Sequence, residues 1–534
     1  MSVLQIQQAI ARADALYNAG RFADSISAYR DVLKLQPDNP QALNNLGNAL
    51  KNAKQFAESA DCYRRAIVLR PDVPELHYNL ASVLMDAGQF DEAITEFEIC
   101  LRERPNYADA HRNYANALRC VARLGDAADH LRSAGAISDL LYLSHFLPES
   151  DAKSLFEAHR QWGSQFPEPS KHAPRILNNR LRIGYVSPDF REHCQANFLM
   201  PLLANHDKSR FEIFAYCNMP TVDQMGERLL AHVNHRRSIA GVNDANADAM
   251  IRADRIDILV DLTLHMADNR LPLFARKPAP VQISWLGYPS TTGLTAIDYR
   301  LSDPYLDPPG ETEAFYVEKT IRLPDTFWCY DPMNDVPAIA APPSERAGYI
   351  TFGCLNNFAK VTDATLNLWG RVMQGVPNSR LILLAPSGSA RRRVINSLAK
   401  HDVAVGRLCF IDRLPRQDYL LMYHQIDFGL DTIPCTGHTT TLDALWMATP
   451  VVTCTGPTAI SRGAASILHC AGFDELITHN ADDFVKCAID LASNPNRLRE
   501  IRSDLRERFE RSPLMDAVRF TRNIESVYEQ VTAE

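Results

Sequence analysis

Four places in the chain set side chains capable of chemistry into short turns beside apolar runs. In "LDTIPCTGHTTTLDALWMATP" (430–450), Gly437, His438, Thr439, Thr440, Thr441 and Asp443 lie between the runs "IDFGLD" and "PVVTCTG" and open a short helix. A glycine permits close backbone approach, threonines offer hydroxyl and amide donors, and a helix N-terminus carries partial positive charge, so such a turn can hold an anion. A single threonine would need no more than the role of an N-cap, worth about 1 kcal/mol; a cluster asks for more. Lys360 closes "LNNFAK" just after the apolar "YITFGCL" and puts a cation at a strand end. Two histidines, His193 in "SPDFREHCQANF" and His265 in "DLTLHMADNR", also follow apolar runs. With an ordinary pKa near 6.5, an imidazole can accept a proton at neutral pH.

The elements that must position these groups are short β-branched strands alternating with helical stretches. "LRIGYVS", "FEIFAYC", "IDILVDL" and "VQISWLG" form one set, and "GYITFGCL", "RLILLAP", "RLCFID", "IDFGLD" and "PVVTCTG" form a second. The pattern predicts two parallel sheets covered on both faces, hence two doubly wound domains facing a cleft. Each motif-bearing turn follows a strand, and ligands in open α/β sheets sit at the carboxyl ends of strands. No G-x-G-x-x-G follows the first strand of either set, which argues against a dinucleotide dehydrogenase. The basic run "ARRRV" (390–394) reads as a solvated helix face.

The first 130 residues repeat. Phe22, Phe56 and Phe90 stand 34 residues apart, as do Tyr29, Tyr63 and Phe97, the prolines Pro37, Pro71 and Pro105, and the small residues Ser25, Ser59 and Ala93. Several columns sharing one period predict stacked helical hairpins, each burying its neighbour's face, with the proline stopping the second helix. A fourth copy from Ala110 degrades: Leu124 stands where an aromatic is due and no closing proline follows.

Bulk properties narrow the class. With 534 residues, 46% apolar and 22% charged, the chain is built like a globular protein of two or three domains. A net charge of -8 gives no general attraction to nucleic acid or membrane. Twelve cysteines without a C-x-x-C pair suit a reducing compartment better than a zinc ribbon or disulfide framework. The N-terminus does not read as a signal peptide, and no apolar run approaches the roughly 20 residues of a membrane helix. The expectation is a cytoplasmic protein.

In their order and spacing, "GYVSPDFREH", "RKPAPVQISWLGYPSTTG", "LNNFAK", "GHTTTLDALW" and "SRGAAS" resemble the O-linked N-acetylglucosamine transferase family, which carries tetratricopeptide repeats ahead of a two-domain GT-B catalytic region. The resemblance covers nearly the whole chain. The segment "PSTTGLTAIDYRLSDPYLDPPGE" looks as close to the plant Spindly-type O-fucosyltransferases of the same superfamily. The resemblance implies an α-helical tetratricopeptide solenoid followed by an α/β GT-B glycosyltransferase. The expected divisions are repeats over 1–135, a helical linker over 136–180, a first Rossmann-like half over 181–335, and a nucleotide-sugar-binding half over 336–534.

By the same resemblance, His438, Thr439, Thr440 and Thr441 attend the diphosphate, with His438 adding a ring donor, and Asp443 takes the ribose. Lys360 serves the leaving group. Asn357 stands where relatives have a nucleotide-contacting glutamine. Arg416 and Tyr419, in "RLPRQDY", replace a lysine and a base-stacking histidine. His193 is an active-site histidine and candidate base. His265 is a second catalytic candidate, in a segment reading Leu264-His265-Met266 where relatives read Gly-His-Thr. Gly287, Tyr288 and Pro289 lie near the sugar and acceptor.

The expected activity is therefore transfer of N-acetylglucosamine from UDP-N-acetylglucosamine to Ser or Thr of proteins recruited by the repeats, with no metal and no cofactor. The alternatives are a GDP-fucose or UDP-glucose donor, or a repeat scaffold that binds nucleotide without turnover. Neither nucleic acid nor membrane is an expected partner.

Overall fold

Phe22, Phe56 and Phe90 each open a helix: Phe22–Leu35, Phe56–Leu69 and Phe90–Glu103. Each pairs with a preceding helix, Val3–Asn18, Pro40–Asn52 and Pro74–Asp86 respectively. Ala108–Cys120 and Leu124–Ser133 add the shortened fourth pair. Pro37, Pro71 and Pro105 lie just beyond the second helices, where a ring without an N–H costs nothing. The small-residue column has a specific use. Ser25 Oγ donates to the Ala13 carbonyl at 3.0 Å, and one period later Ser59 Oγ donates to the Gly47 carbonyl at 2.7 Å. Tyr63 and Phe97 are fully buried between helices. Gly47 admits the Tyr63 ring so closely that a Cβ there would come within 2.7 Å of it.

The computed structural model describes residues 3–168, 180–333 and 338–533. The chain forms two compact units, Met1–Leu140 with Ala385–Arg393, and Leu141–Leu384 with Val394–Glu534. Most of the linker loop read in "PEPSKHAPRILNNR", and the expected division at 335–336, lie outside the described residues. No described helix is long and apolar enough to cross a membrane.

The second unit contains two all-parallel sheets. The first takes β1 (Leu181–Ser187), β2 (Phe211–Cys217), β3 (His235–Ser238), β4 (Ile258–Asp261), β5 (Val281–Ser284), β6 (Tyr299–Ser302) and β7 (Lys319–Arg322) in the order β3-β2-β1-β4-β5-β6-β7. The second takes β8 (Ile350–Cys354), β9 (Ser379–Leu384), β10 (Leu408–Ile411), β11 (Phe428–Leu430), β12 (Val451–Cys454) and β13 (Ile477–Thr478) in the order β10-β9-β8-β11-β12-β13. Every predicted strand forms. The additional ones, β3, β6, β7 and β13, are two to four residues long; β3 ("HRRS") and β7 ("KTIR") carry charge, as suits sheet edges that must refuse further pairing.

The final helix, Ala517–Ala533, returns to the first sheet's half. There the Tyr528 and Tyr185 hydroxyls meet at 3.0 Å, and Glu525 lies 3.1 Å from His206 Nδ1. Asn197 and Asp331, in the segment leaving the first half, exchange hydrogen bonds at 2.7 Å, and between the halves Arg462 Nε donates to the Leu306 carbonyl at 2.6 Å. Ser466 Oγ also donates to Asp303 at 2.8 Å.

Candidate active site

Lys360 and the turn 431–441 come together at the carboxyl ends of β8 and β11. Lys360 Nζ donates to the Thr436 carbonyl at 2.6 Å, so the ammonium lies beside the turn with two further N–H donors. The turn is fixed from several sides. The Gly437 amide donates to Asp431 Oδ1 at 2.8 Å, Thr436 Oγ donates to the Ile460 carbonyl at 3.1 Å, and the Thr440 hydroxyl donates to the Asn356 side-chain carbonyl. The helix Thr439–Trp446 starts there, and the first amides of a helix lack intrahelical acceptors. Thr439 and Thr440 keep partial exposure while Thr441 is buried. Gly437 is required by its own turn: a Cβ would come within 2.5 Å of Thr441 Oγ. Asn357 is exposed, its side-chain oxygen accepting from the Ala359 amide at 3.1 Å.

His438 differs from its expected role. Its Nε2 donates to the Ile460 carbonyl at 3.1 Å. Burial, followed by the nearby Lys360 charge, pushes its pKa down to about 3. The ring is therefore neutral here, with its Nε2–H turned to Ile460. It serves as a wedge: a Cβ on Gly463 of "SRGAAS" would stand 2.2 Å from its ring, and Trp328 packs at 5.1 Å between centroids.

Asp443 is also committed elsewhere. Arg416 Nη2 and Nη1 donate to Oδ1 and Oδ2 at 2.5 and 2.7 Å. The hydroxyls of Tyr330 and Tyr419 donate to it at 2.6 and 3.2 Å. Four donors thus reach its two oxygens, on the side chain expected to take the ribose. Arg416 holds its charge although burial opposes it, because Asp443 more than compensates. Tyr419 keeps a partly exposed ring, with its hydroxyl 3.0 Å from that of Tyr423.

In the first half, His193 follows β1 and is partly exposed, with side-chain exposure of 33%. Its Nδ1 accepts from the Gln195 amide at 3.3 Å and lies 3.6 Å from Asp189 Oδ2. Burial would lower its pKa, but the Cys194 sulfur and the Asp189 carboxylate reverse that and hold it above the ordinary value.

His265 is placed quite differently. It is fully buried, Nε2 meets the Thr292 carbonyl at 2.9 Å, and the ring packs on Trp162 and His159 at 4.5 and 5.0 Å. The helix Ala152–Gly163 covers the turn that carries it. Burial holds it neutral, well below its ordinary pKa. His265, expected as a second catalytic candidate, is thus enclosed in this structure.

Tyr288 and Pro289 are buried as well, Tyr288 against Tyr142 and His145 at 5.1 and 5.0 Å. Gly287 is needed because a Cβ would meet the Thr263 carbonyl at 2.7 Å. Tyr288 and Pro289 thus pack inside the turn, while Gly287 keeps partial exposure. Glu318 ties the same turn down, accepting from Thr291 Oγ and the Thr292 amide, both at 2.6 Å.

Sequence reasoning did not single out Asp431, Asn356 or Tyr330, although the first two flank the motifs it did use.

Two parallel α/β sheets in one unit, motif turns at their carboxyl ends and a last helix returning to the first half define a GT-B glycosyltransferase fold, preceded by tetratricopeptide repeats. The chain belongs to glycosyl transferase family 41, whose model matches residues 164–341 and 343–524, and a tetratricopeptide-repeat model matches 10–74 and 78–139. A Solanum lycopersicum protein described as probable UDP-N-acetylglucosamine--peptide N-acetylglucosaminyltransferase SPINDLY is 37% identical over 413 residues, 74% of this chain and 44% of that protein. The Arabidopsis thaliana protein of the same description is 35% identical over the same shares. The chain thus spans less than half the length of these curated relatives. A structure of a lysine-to-methionine mutant of Thermobaculum terrenum O-GlcNAc transferase superposes with a TM-score of 0.76 at 32% identity, covering 100% of this chain and 98% of that one.

Proposed function

We propose that this chain is a protein O-glycosyltransferase that moves N-acetylglucosamine from UDP-N-acetylglucosamine to serine or threonine hydroxyls of protein acceptors. The observation that carries the reading is the placement of Lys360 Nζ against Thr436 at the start of the helix Thr439–Trp446. An ammonium, the Thr439 hydroxyl and helix-terminal amides lying together there are the groups that would suit a diphosphate. The names borne by the relatives supply the sugar and the class of acceptor.

In this mechanism the acceptor oxygen attacks the anomeric carbon and the bond from that carbon to the diphosphate oxygen breaks. His193 takes the hydroxyl proton. Lys360, the Thr439 hydroxyl and the backbone amides of the helix terminus stabilise the charge gathering on the departing diphosphate. No divalent ion and no cofactor take part. The repeats recruit the acceptor, and the twelve free thiols fit work in the reducing cytoplasm.

The test is incubation of the purified protein with labelled sugar nucleotides, acceptor lysate and EDTA. Protein-bound N-acetylglucosamine from the UDP donor is the expected product. Label from GDP-fucose alone would reassign the donor, loss of label with EDTA would overturn the metal-free mechanism, and binding without transfer from any donor would make the chain a scaffold.

A further inference from the structure

Asp431 follows β11 at 3% exposure and is used by neither the repeats nor the transfer step. Four donors converge on its carboxylate. Oδ1 accepts from the Thr432 amide at 2.8 Å, the Gly437 amide at 2.8 Å and Asn356 Nδ2 at 3.1 Å, while Oδ2 accepts from Thr453 Oγ at 2.7 Å. Oδ1 thus receives three donors, more than its two lone pairs take singly, and Oδ2 one. Its backbone is held too: the carbonyl accepts from Trp369 Nε1 at 3.1 Å.

The reach of this network exceeds what a turn-closing aspartate needs. Asn356 belongs to the turn after β8, four residues before Lys360, and its side-chain oxygen accepts the Thr440 hydroxyl. Its Nδ2 also donates to Thr432 Oγ at 2.9 Å. One buried carboxylate therefore joins the two turns that carry the ammonium and the threonines, through the Gly437 amide on one side and Asn356 on the other. A negative charge beneath an anion site is unfavourable unless compensated. Burial raises the Asp431 pKa, and the hydrogen bonds from Thr453, Thr432 and Gly437, with the Lys360 charge, work against that rise.

We infer that Asp431, acting through Gly437 and Asn356, is the positioning residue that sets the diphosphate cradle, so that the Thr439 and Thr440 amides at the helix start meet the two phosphates of a nucleoside diphosphate. The inference rests on the glycosyltransferase reading above. It gives Asp431 no contact with substrate. Its role is to spend the Gly437 amide inward, which turns the chain at His438, and to hold Thr440 by way of Asn356. Charge-assisted hydrogen bonds in a dry site are strong enough to fix such a turn.

The experiment compares the affinity of UDP with that of uridine, and of GDP with that of guanosine, by titration calorimetry on the full chain. The readout is the affinity gained from the diphosphate, a quantity that a loss of general stability does not move. For Asp431→Ala and Asn356→Ala the expected result is about a tenfold loss of that gain with nucleoside affinity unchanged, the size of one well-made hydrogen bond to a charged group. Asp431→Asn should recover most of it, because the amide oxygen still accepts from N–H donors and its NH2 can donate to Thr453. Folded Asp431→Ala and Asn356→Ala variants that keep the full diphosphate gain would overturn the inference. Should Asp431→Ala fail to fold, Asn356→Ala decides alone. A wild-type protein that binds neither diphosphate better than its nucleoside would instead overturn the cradle reading on which both proposals stand.

Discussion

Arg416 and Asp443, 27 residues apart in sequence, form a two-pronged ion pair with N–O separations of 2.5 and 2.7 Å, closed by the Tyr330 hydroxyl at 2.6 Å. The carboxylate is 1% exposed, whereas the Arg416 side chain is 29% exposed. Tyr330 belongs to the segment leaving the first half, so the pair also ties that segment to the second half. The planar fork of arginine fits a carboxylate in a way the point charge of lysine cannot.

Removing the arginine should accordingly leave a buried carboxylate with only neutral partners. Breaking a fully buried pair costs about 3–5 kcal/mol, and the partial exposure of Arg416 reduces the expected loss to about 2 kcal/mol. Urea denaturation of Arg416→Ala should show that drop, and Arg416→Lys should recover only part of it. Unchanged stability combined with lost nucleotide affinity would instead make Arg416 a ligand-facing residue.

Lys360 presents the opposite case. Its ammonium donates to the Thr436 carbonyl, and the side chain keeps partial exposure. Lys360→Ala should therefore lower kcat by at least about a hundredfold, the scale for losing one charge-stabilising donor. The melting temperature should stay within about 2 °C of wild type, since less than about 1 kcal/mol of folding energy is at stake. A large fall in melting temperature alongside lost activity would assign the lysine to the fold.

For His193 the raised pKa fixes the direction of a pH profile. A base works only when deprotonated, so kcat/KM should rise with pH through a limb centred above 6.5. The same raised pKa contributes stability at low pH that fades as pH rises through the folded-state value. His193→Gln should remove the limb. A limb of unchanged position in that variant would move the base to another residue.

Much of this was legible in the sequence, and the exceptions share a cause. The 34-residue columns mark helix starts and stops because each repeat solves the same packing problem, and the β-branched runs became strands because burial on both faces demands apolar residues throughout. Lys360 and the Gly437–Thr441 turn met as expected, each motif being local and at a strand end. Asp443 could not be assigned from its own motif, because its partners, Arg416 and Tyr330, are distant in sequence. His265 looked like the histidine of an exposed turn, and only the fold shows that the helix Ala152–Gly163 lies over it. The edge strands β3 and β7 escaped notice because their charge, useful at an edge, reads as loop.

The buried histidines lead to a last prediction, on acid sensitivity. His145, His159 and His265 lie together, with His159 at 5.4 Å from His145 and 5.0 Å from His265 between ring centroids. All three have pKa values lowered by burial, and that of His159 falls to about 4. Among the described residues, His159 Nε2 and His145 Nδ1 have no hydrogen-bond partner that could steady a proton. The groups around them are the Ser290 hydroxyl, the Leu155 and Thr292 carbonyls, Trp162 and Tyr288, none of them a charged partner. In the unfolded chain each histidine would titrate near 6.5. Between that value and about 4 the unfolded state thus binds more protons, and stability must fall as pH falls across that window. For His159 alone the loss, fully developed, is about 3 kcal/mol, since each tenfold change in proton affinity is worth about 1.4 kcal/mol. Urea midpoints should hold steady from pH 8 to 7 and decline from about pH 6.5 to 4.5, and His159→Gln should flatten part of that decline. A wild-type midpoint that does not change over that range would mean these histidines find compensation in a rearranged packing of the helix Ala152–Gly163.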